Sequence, residues 1–196
     1  LHLCHHNLES ISDYDSSNAR HKLLLEVCMA AKYEGDSIKT PYPKHKQTNN
    51  DSASQLCTVL ARSFADIGDI IRGRDLFYGN KQEKEKREDL EKKLKEIFTQ
   101  IHEDVTSSGN NKEALQKRYG SDTGDFFKLR EDWWTANRAT VWEAITCSAD
   151  TGNKYFRPTC GSGEWTDDKC RCKDEKGKNE TNEVPTYFDY VPQYLR

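Results

Sequence analysis

Seven cysteines, Cys4, Cys28, Cys57, Cys147, Cys160, Cys170 and Cys172, constrain this 196-residue chain more than any other feature. Most lie in separate segments rather than in close pairs, a pattern that suits cross-links between distant parts of a fold better than a metal knuckle. Disulfides persist in oxidising compartments, so the pattern points outside the cell. Composition explains why staples are needed. Hydrophobic residues make up 34% and charged residues 32%, against about 45–50% apolar (glycine included) and about 25% charged in ordinary globular domains. The core is thin for the length, and covalent links are expected to supply part of the stabilisation. Seven thiols cannot all pair with one another, and Cys170 and Cys172, one residue apart, make a strained pair. At least one partner is therefore expected beyond Leu1 or Arg196.

The net charge of −3 argues against nucleic acid as the main partner, while leaving room for a local basic face that reads an acidic glycan. No stretch of 18 apolar residues offers a membrane span, and Leu1–Ser10 is too short and polar for a signal peptide. The sequence reads as an excised piece of a displayed protein, attached to a membrane only through missing parts.

Hydrophobic period predicts a mainly α chain. Ser16-Ser17-Asn18 offers caps for a helix over Ala19–Tyr33, with Leu23, Leu24, Val27, Cys28 and Ala31 on one stripe and Gly35 as its stop. Residues 36–54 read as an exposed loop, with a glycosylation sequon at Asn50; a second sequon starts at Asn179. A second helix is expected from about Ser54 to Arg72, burying Leu56, Val59, Leu60, Ser63, Phe64, Ile67, Ile70 and Ile71, with Arg62, Asp66 and Asp69 off the stripe. Lys81–Val105 carries Leu90, Leu94, Ile97, Phe98, Ile101 and Val105 on its inner face. A short helix fits Lys112–Tyr119. The last, Asp125–Cys147, carries Phe126, Leu129, Trp133, Trp134, Val141, Trp142 and Ile145, its three tryptophans supplying much of the core. Ala149–Lys178 has no period and reads as a cross-linked irregular segment.

Catalysis and metal binding find little support. His2, Cys4, His5 and His6, with Cys170 and Cys172, lack the paired CxxC or HxxxH spacing of a structural zinc site. No G-x-S-x-G, H-E-x-x-H or phosphate-binding loop is present, and disulfide pairing removes the thiols that a Cys–His mechanism needs. Asp66 and Asp69 with Arg62 and Arg138 read as ion pairs rather than an acid–base site. The expectation is a protein with no enzymatic activity and no cofactor or metal. The run Lys81–Lys95 reads as a solvated helix face laced with i,i+4 pairs such as Glu88–Lys92. The rival reading is a basic strip of Lys81, Lys84, Lys86, Arg87, Lys92 and Lys93, extended by Lys112, Lys117 and Arg118 if these fold alongside, that binds a sulfated glycan.

Three long motifs carry a family resemblance. Ala61-Arg62-Ser63-Phe64-Ala65-Asp66-Ile67-Gly68-Asp69-Ile70-Ile71-Arg72-Gly73 resembles the hallmark helix of Duffy-binding-like domains. Trp133-Trp134-Thr135-Ala136-Asn137-Arg138 with Val141-Trp142-Glu143-Ala144-Ile145-Thr146-Cys147 is similar to their second hallmark. Pro185-Thr186-Tyr187-Phe188-Asp189-Tyr190-Val191-Pro192-Gln193-Tyr194-Leu195-Arg196 resembles the alpha class, found in the variant erythrocyte membrane protein 1 adhesins of Plasmodium falciparum. Leu1–Cys4 and Val27–Gly35 fit the same class.

The resemblance implies a helical fold of three subdomains, a loop-rich first, a helical-bundle second and a disulfide-linked helical third: here 1–53 as a partial first, 54–147 as the second, and 148–196 as the start of the third, the rest lying past Arg196. It implies the pairs Cys57–Cys160 and Cys28–Cys147, with Cys4, Cys170 and Cys172 pairing outside the fragment. Joining Cys57 near the start of one helix to a cysteine beyond the end of another requires those helices to run antiparallel. The implied function is adhesion from the surface of the infected erythrocyte to a host receptor protein or sulfated glycan, with neighbouring domains of the adhesin and host antibodies as further partners. A structural spacer is the first alternative, and a secreted disulfide-stabilised enzyme the second.

Overall fold

The computed structural model describes residues 19–40, 54–76, 79–107, 111–161, 163–166, 168–173 and 181–196. Five α-helices dominate them: α1 (Ala19–Lys39), α2 (Ser54–Ile71), α3 (Lys81–Ser107), α4 (Lys112–Tyr119) and α5 (Phe127–Ile145). Two 3-10 turns, Phe188–Tyr190 and Gln193–Leu195, close the chain. Among the described residues there is no named strand, only an isolated bridge between Cys160 and Glu164. None of the described helices is long and apolar enough to cross a membrane.

The expected inner face of α3 is buried throughout, Leu90, Leu94, Ile97, Phe98, Ile101 and Val105 alike. Its start is fixed by a reciprocal cap. The Glu83 amide donates to Asn80 Oδ1 at 3.0 Å, and the Asn80 amide donates to a Glu83 carboxylate oxygen at 3.1 Å, so two otherwise orphaned donors are satisfied. The start of α5 is held from outside the helix. Asp122, itself buried, accepts from the amides of Lys128 at 3.2 Å and Leu129 at 2.8 Å.

Two expectations about helices fail, each for a packing reason. Gly35 does not stop α1, which continues to Lys39. A Cβ built on Gly35 would lie 2.0 Å from the Ile145 carbonyl oxygen, so the glycine is there to let two backbones touch. Gly35→Ala is expected to force the helices apart and cost about 1–3 kcal/mol, read as a lower urea midpoint; an unchanged midpoint would show the contact to be dispensable. On α2, Asp66 and Asp69 are buried while Val59 is exposed. The buried face is far wider than one stripe because Ala61 and Ala65 are fully covered too.

The described residues fall into two compact units. The first combines those of Cys28–Gly68 with those of Arg138–Arg196. In it the Phe64 and Trp142 rings meet edge-on at 5.2 Å, and the Ser63 hydroxyl donates to buried Glu34 at 3.0 Å. The second combines residues 19–27 with Asp69–Asn137. There Phe98 meets Trp133 edge-on at 6.3 Å, and the carbonyls of Ile70 and Ile71, in the last turn of α2, receive the guanidinium of Arg130, in the first turn of α5. The end of one helix thus lies at the start of the other, as the antiparallel expectation required.

The disulfides differ from the expected set. Cys57 pairs with Cys170, across 113 residues, and Cys160 with Cys172, across 12. Cys57–Cys160 is therefore not formed, and Cys170 and Cys172 find their partners inside the chain. The irregular segment doubles back to bring this about. The indole N–H of Trp142 donates to the Cys170 carbonyl at 3.1 Å, and the Cys170 amide donates to the Asn153 carbonyl at 2.9 Å, which carries Cys170 rather than Cys160 to the head of α2. Cys28 and Cys147 are free thiols, so that expected link is also absent. Cys4 and the two sequon asparagines lie outside the described residues.

Candidate recognition surface

A recognition surface needs charged or aromatic groups that the fold itself leaves uncommitted. The acid–base residues singled out on α2 and α5 are committed. In the first unit Arg138 holds buried Asp189 with two 2.8 Å bonds and also donates to the Thr186 carbonyl at 2.8 Å. Asp66 pairs with Arg196 at 3.4 Å. In the second unit Asp69 pairs with fully buried Arg72 at 3.1 Å. The Arg138–Asp189 and Asp66–Arg196 pairs join distant segments and Asp69–Arg72 is a local i,i+3 pair, so each of these charges is held by a structural partner. Arg62 is exposed. Trp133, Trp134 and Trp142 are buried, so the aromatic row of α5 is core and offers no stacking platform.

The nine candidate cations lie in the second unit and do not form one strip. Lys81, Lys84, Lys86 and Lys92 are exposed, and Arg87 and Lys93 are half-buried. At about 100° per residue, Lys84 and Arg87 fall on one flank of α3, Lys86 and Lys93 on the opposite flank, and Lys81 and Lys92 on the outermost ridge. Carboxylates accompany each flank. A cleft of about 620 Å³ takes in Lys84, Arg87, Lys92 and Lys95 together with Asp75, Glu88, Glu91 and Asp125, four cations against four anions. Within it Lys95 meets Asp125 at 2.6 Å, Lys84 meets Glu88 at 3.7 Å, and Arg87 pairs with Asp75. The expected Glu88–Lys92 pair is replaced by Lys84–Glu88 one turn earlier. On the other flank Lys86, Lys92 and Lys93 share a second groove with Asp89 and Glu96.

Lys112, Lys117 and Arg118 stand apart from these. α4 is tied to the far end of α3, where the Gln116 side-chain Nε2 donates to the Thr106 carbonyl at 3.0 Å and a His102 ring nitrogen lies 2.9 Å from the Tyr119 carbonyl. That end is about 33 Å along the helix axis from Lys84. Arg118 is taken up by Asp132 through bonds of 2.6 and 2.7 Å, which hold the Asp132 carboxyl below the ordinary carboxylate range. The fold therefore does not bring the nine together.

The free thiols behave differently from each other. Cys28 is half-buried, and burial, helped by the nearby Glu143 carboxylate, pushes its pKa up to about 11 from an ordinary 9.0. Its reactive thiolate is therefore about a hundredfold scarcer than that of an ordinary thiol at neutral pH. Cys147 is exposed. Iodoacetamide at pH 8 is expected to label Cys147 first and leave Cys28 largely untouched until the chain unfolds; equal labelling of both by peptide mass would contradict this. Among the described residues no group of three or more metal-ligating side chains occurs, and Cys170 and Cys172, considered as zinc ligands, are disulfide-bonded. His2, Cys4, His5 and His6 lie outside the described residues.

Two exposed aromatics escaped the sequence reading, Phe127 on α5 and Trp165. Trp165 is half exposed within the irregular segment, where no hydrophobic period exists to mark a side chain as inside or outside.

A family model described as the Duffy binding domain matches residues 1–196. The N-terminal NTS-DBL1-alpha and CIDR-gamma double domain of the PfEMP1 protein from the Plasmodium falciparum varO strain is 41% identical to this chain, with a TM-score of 0.74 over 99% of this chain and 25% of its own. The NTS-DBL1(alpha-1) domain from the same strain is 40% identical, with a TM-score of 0.72 over 99% of this chain and 40% of its own. The DBLbeta domain of PfEMP1 IT4var13, solved bound to ICAM-1, is 30% identical, with a TM-score of 0.60 over the same shares. The chain thus spans between a quarter and two fifths of these solved chains. No curated protein matches it.

Proposed function

Because the chain belongs to the Duffy binding domain family, whose PfEMP1 members are adhesion domains and not enzymes, we propose that it takes part in binding a receptor on the host cell surface. It does so from the outside of the infected erythrocyte, by surface complementarity alone. The observation that carries this reading is the match of the whole chain, at 40% identity or above, to the alpha-class domain of a variant parasite adhesin. The DBLbeta relative bound to ICAM-1 supports a protein as the kind of partner. The commitment of Asp66, Asp69, Arg138 and Asp189 to structural pairs supports recognition without chemistry.

A sulfated glycan held by Lys81, Lys84, Lys86, Arg87, Lys92 and Lys93 is a second reading. Its support is the exposure of most of these side chains. Against it stand the carboxylates interleaved on both flanks of α3, which cancel the clustered positive field that sulfate recognition needs. The test is retention of the folded, oxidised chain on erythrocytes and endothelial cells, with heparin columns in parallel. Saturable binding to cells supports adhesion; absence of binding to any cell or column supports a spacer within a larger adhesin. If charge reversal of Lys84, Lys86, Lys92 and Lys93 leaves heparin retention unchanged, the glycan reading is lost.

A further inference from the structure

Of the four tryptophans in the chain, Trp133, Trp134 and Trp142 are buried and Trp165 is 53% exposed. Its backbone is held on both sides. Before it, Cys160 and Glu164 exchange backbone hydrogen bonds of 2.9 and 2.8 Å, and the Gly163 amide donates to the Cys160 carbonyl at 2.9 Å. The Cys160–Cys172 disulfide anchors this turn, and the Gly161 amide donates to both carboxylate oxygens of Glu183, at 2.9 and 2.7 Å. After it, fully buried Thr166 accepts the Tyr155 amide at 2.7 Å, and Asn153 accepts the Cys170 amide at 2.9 Å.

These bonds bring residues 153–155 beside residues 166 and 170. Asn153, Tyr155, Thr166 and Cys170 are all buried. Their sequence neighbours Lys154 and Trp165 are exposed and Lys169 is half-buried, so the anchored backbone that carries the indole runs beside the segments that carry both lysines. Neither Lys154 nor Lys169 has an ion-pair partner among the described residues. The nearby Asp168 is taken by Lys173 at 3.6 Å and by the Gly152 amide at 2.8 Å; Glu164 is exposed and offsets one of the two positive charges.

We propose that Trp165, flanked by Lys154 and Lys169, is the anchor of a protein-docking patch, and that its partner is a host surface protein offering an apolar pocket edged by carboxylates. The inference rests on the adhesion reading and gives it a location. Indoles that fill a pocket and lose their water are enriched among binding hot spots, and pre-anchoring the backbone removes an ordering cost on association. The charge left by two lysines and one glutamate selects an acidic rim but is too sparse for a sulfated chain, which needs a continuous cationic track.

The test compares the wild-type chain with Trp165→Ala and with Lys154→Glu/Lys169→Glu. Retention is measured on intact erythrocytes and endothelial cells, on the same cells stripped of surface protein by trypsin, and on cells treated with heparinase. Both variants carry their changes on the surface, and wild-type melting curves will confirm that they fold. The expected result is wild-type binding that trypsin abolishes and heparinase leaves intact, and that falls about tenfold or more in each variant. Variants that bind like wild type overturn the patch and leave the adhesion reading standing. Loss of binding after heparinase overturns the choice of a protein partner. No binding by the wild-type chain to any cell overturns both readings.

Discussion

Removing the Cys57–Cys170 disulfide is expected to lower stability by about 5 kcal/mol, a large share of what a lean domain of this size has to lose. The bond closes a loop of 113 residues, and the chain entropy it takes from the unfolded state grows with the logarithm of that length. Cys160–Cys172 closes only 12 residues, for which the same relation gives about 3 kcal/mol. The double variants Cys57→Ser/Cys170→Ser and Cys160→Ser/Cys172→Ser should therefore differ by about 2 kcal/mol in urea denaturation. Trp142 provides a local reporter, because its buried indole donates to the Cys170 carbonyl. Loss of the long-range link should red-shift tryptophan emission before global unfolding. Equal midpoints for the two variants, or an oxidised and a reduced chain that unfold alike, would remove the disulfide from its place as the main stabiliser.

How much of this was legible in the sequence depended on the kind of force. Repeating apolar burial was readable: the six inner residues of α3 and the tryptophans of α5 are buried where their 3, 4 spacing placed them. Long motifs also identified the family, because side chains that must pack together leave a recognisable string. Sulfur pairing was not readable from spacing. Any of several partners lies within reach of Cys57 once residues 148–173 are free to bend, and the choice is made by two hydrogen bonds, from Trp142 to Cys170 and from Cys170 to Asn153. Gly35 was misread because a glycine that ends a helix and one that admits a neighbouring carbonyl look the same in one dimension. The candidate cations on α3 are mostly exposed, as their spacing suggested, but a one-dimensional count cannot show that Asp75 comes from another segment to pair with Arg87. Trp165 left no periodic signal at all. Its meaning comes from the bonds around it.

The hardest feature to foresee is a charge in the interior, and it carries the second large prediction. The Arg130 side chain is 0% exposed. Its Nε donates to the Ile71 carbonyl at 2.6 Å, Nη2 donates to the Ile70 carbonyl at 3.0 Å, and the Glu91 carboxylate takes Nη1 and Nη2 at 2.7 and 2.9 Å. The guanidinium also lies 5.5 Å from the centre of the Phe98 ring. A cation in this position is tolerable only while each nitrogen has a partner. Glu91→Ala leaves the guanidinium in place and removes the carboxylate that is hydrogen-bonded to it, so it is expected to cost about 3 kcal/mol, the lower end for a broken buried pair because Glu91 itself is partly exposed. Glu91→Gln, which keeps an acceptor and drops the charge, should cost less. Adding Arg130→Met to Glu91→Ala should restore part of the loss, since it takes away the charge left unpaired. High salt should leave these differences nearly unchanged, unlike those from the exposed Lys84–Glu88 pair. A loss below about 1 kcal/mol for Glu91→Ala would mean that water reaches Arg130 and that this corner of the second unit is looser than its geometry states. Because Glu91 also lines the α3 cleft, the same substitution should disturb any ligand there, while leaving the Trp165 patch in the first unit with its own anchors intact.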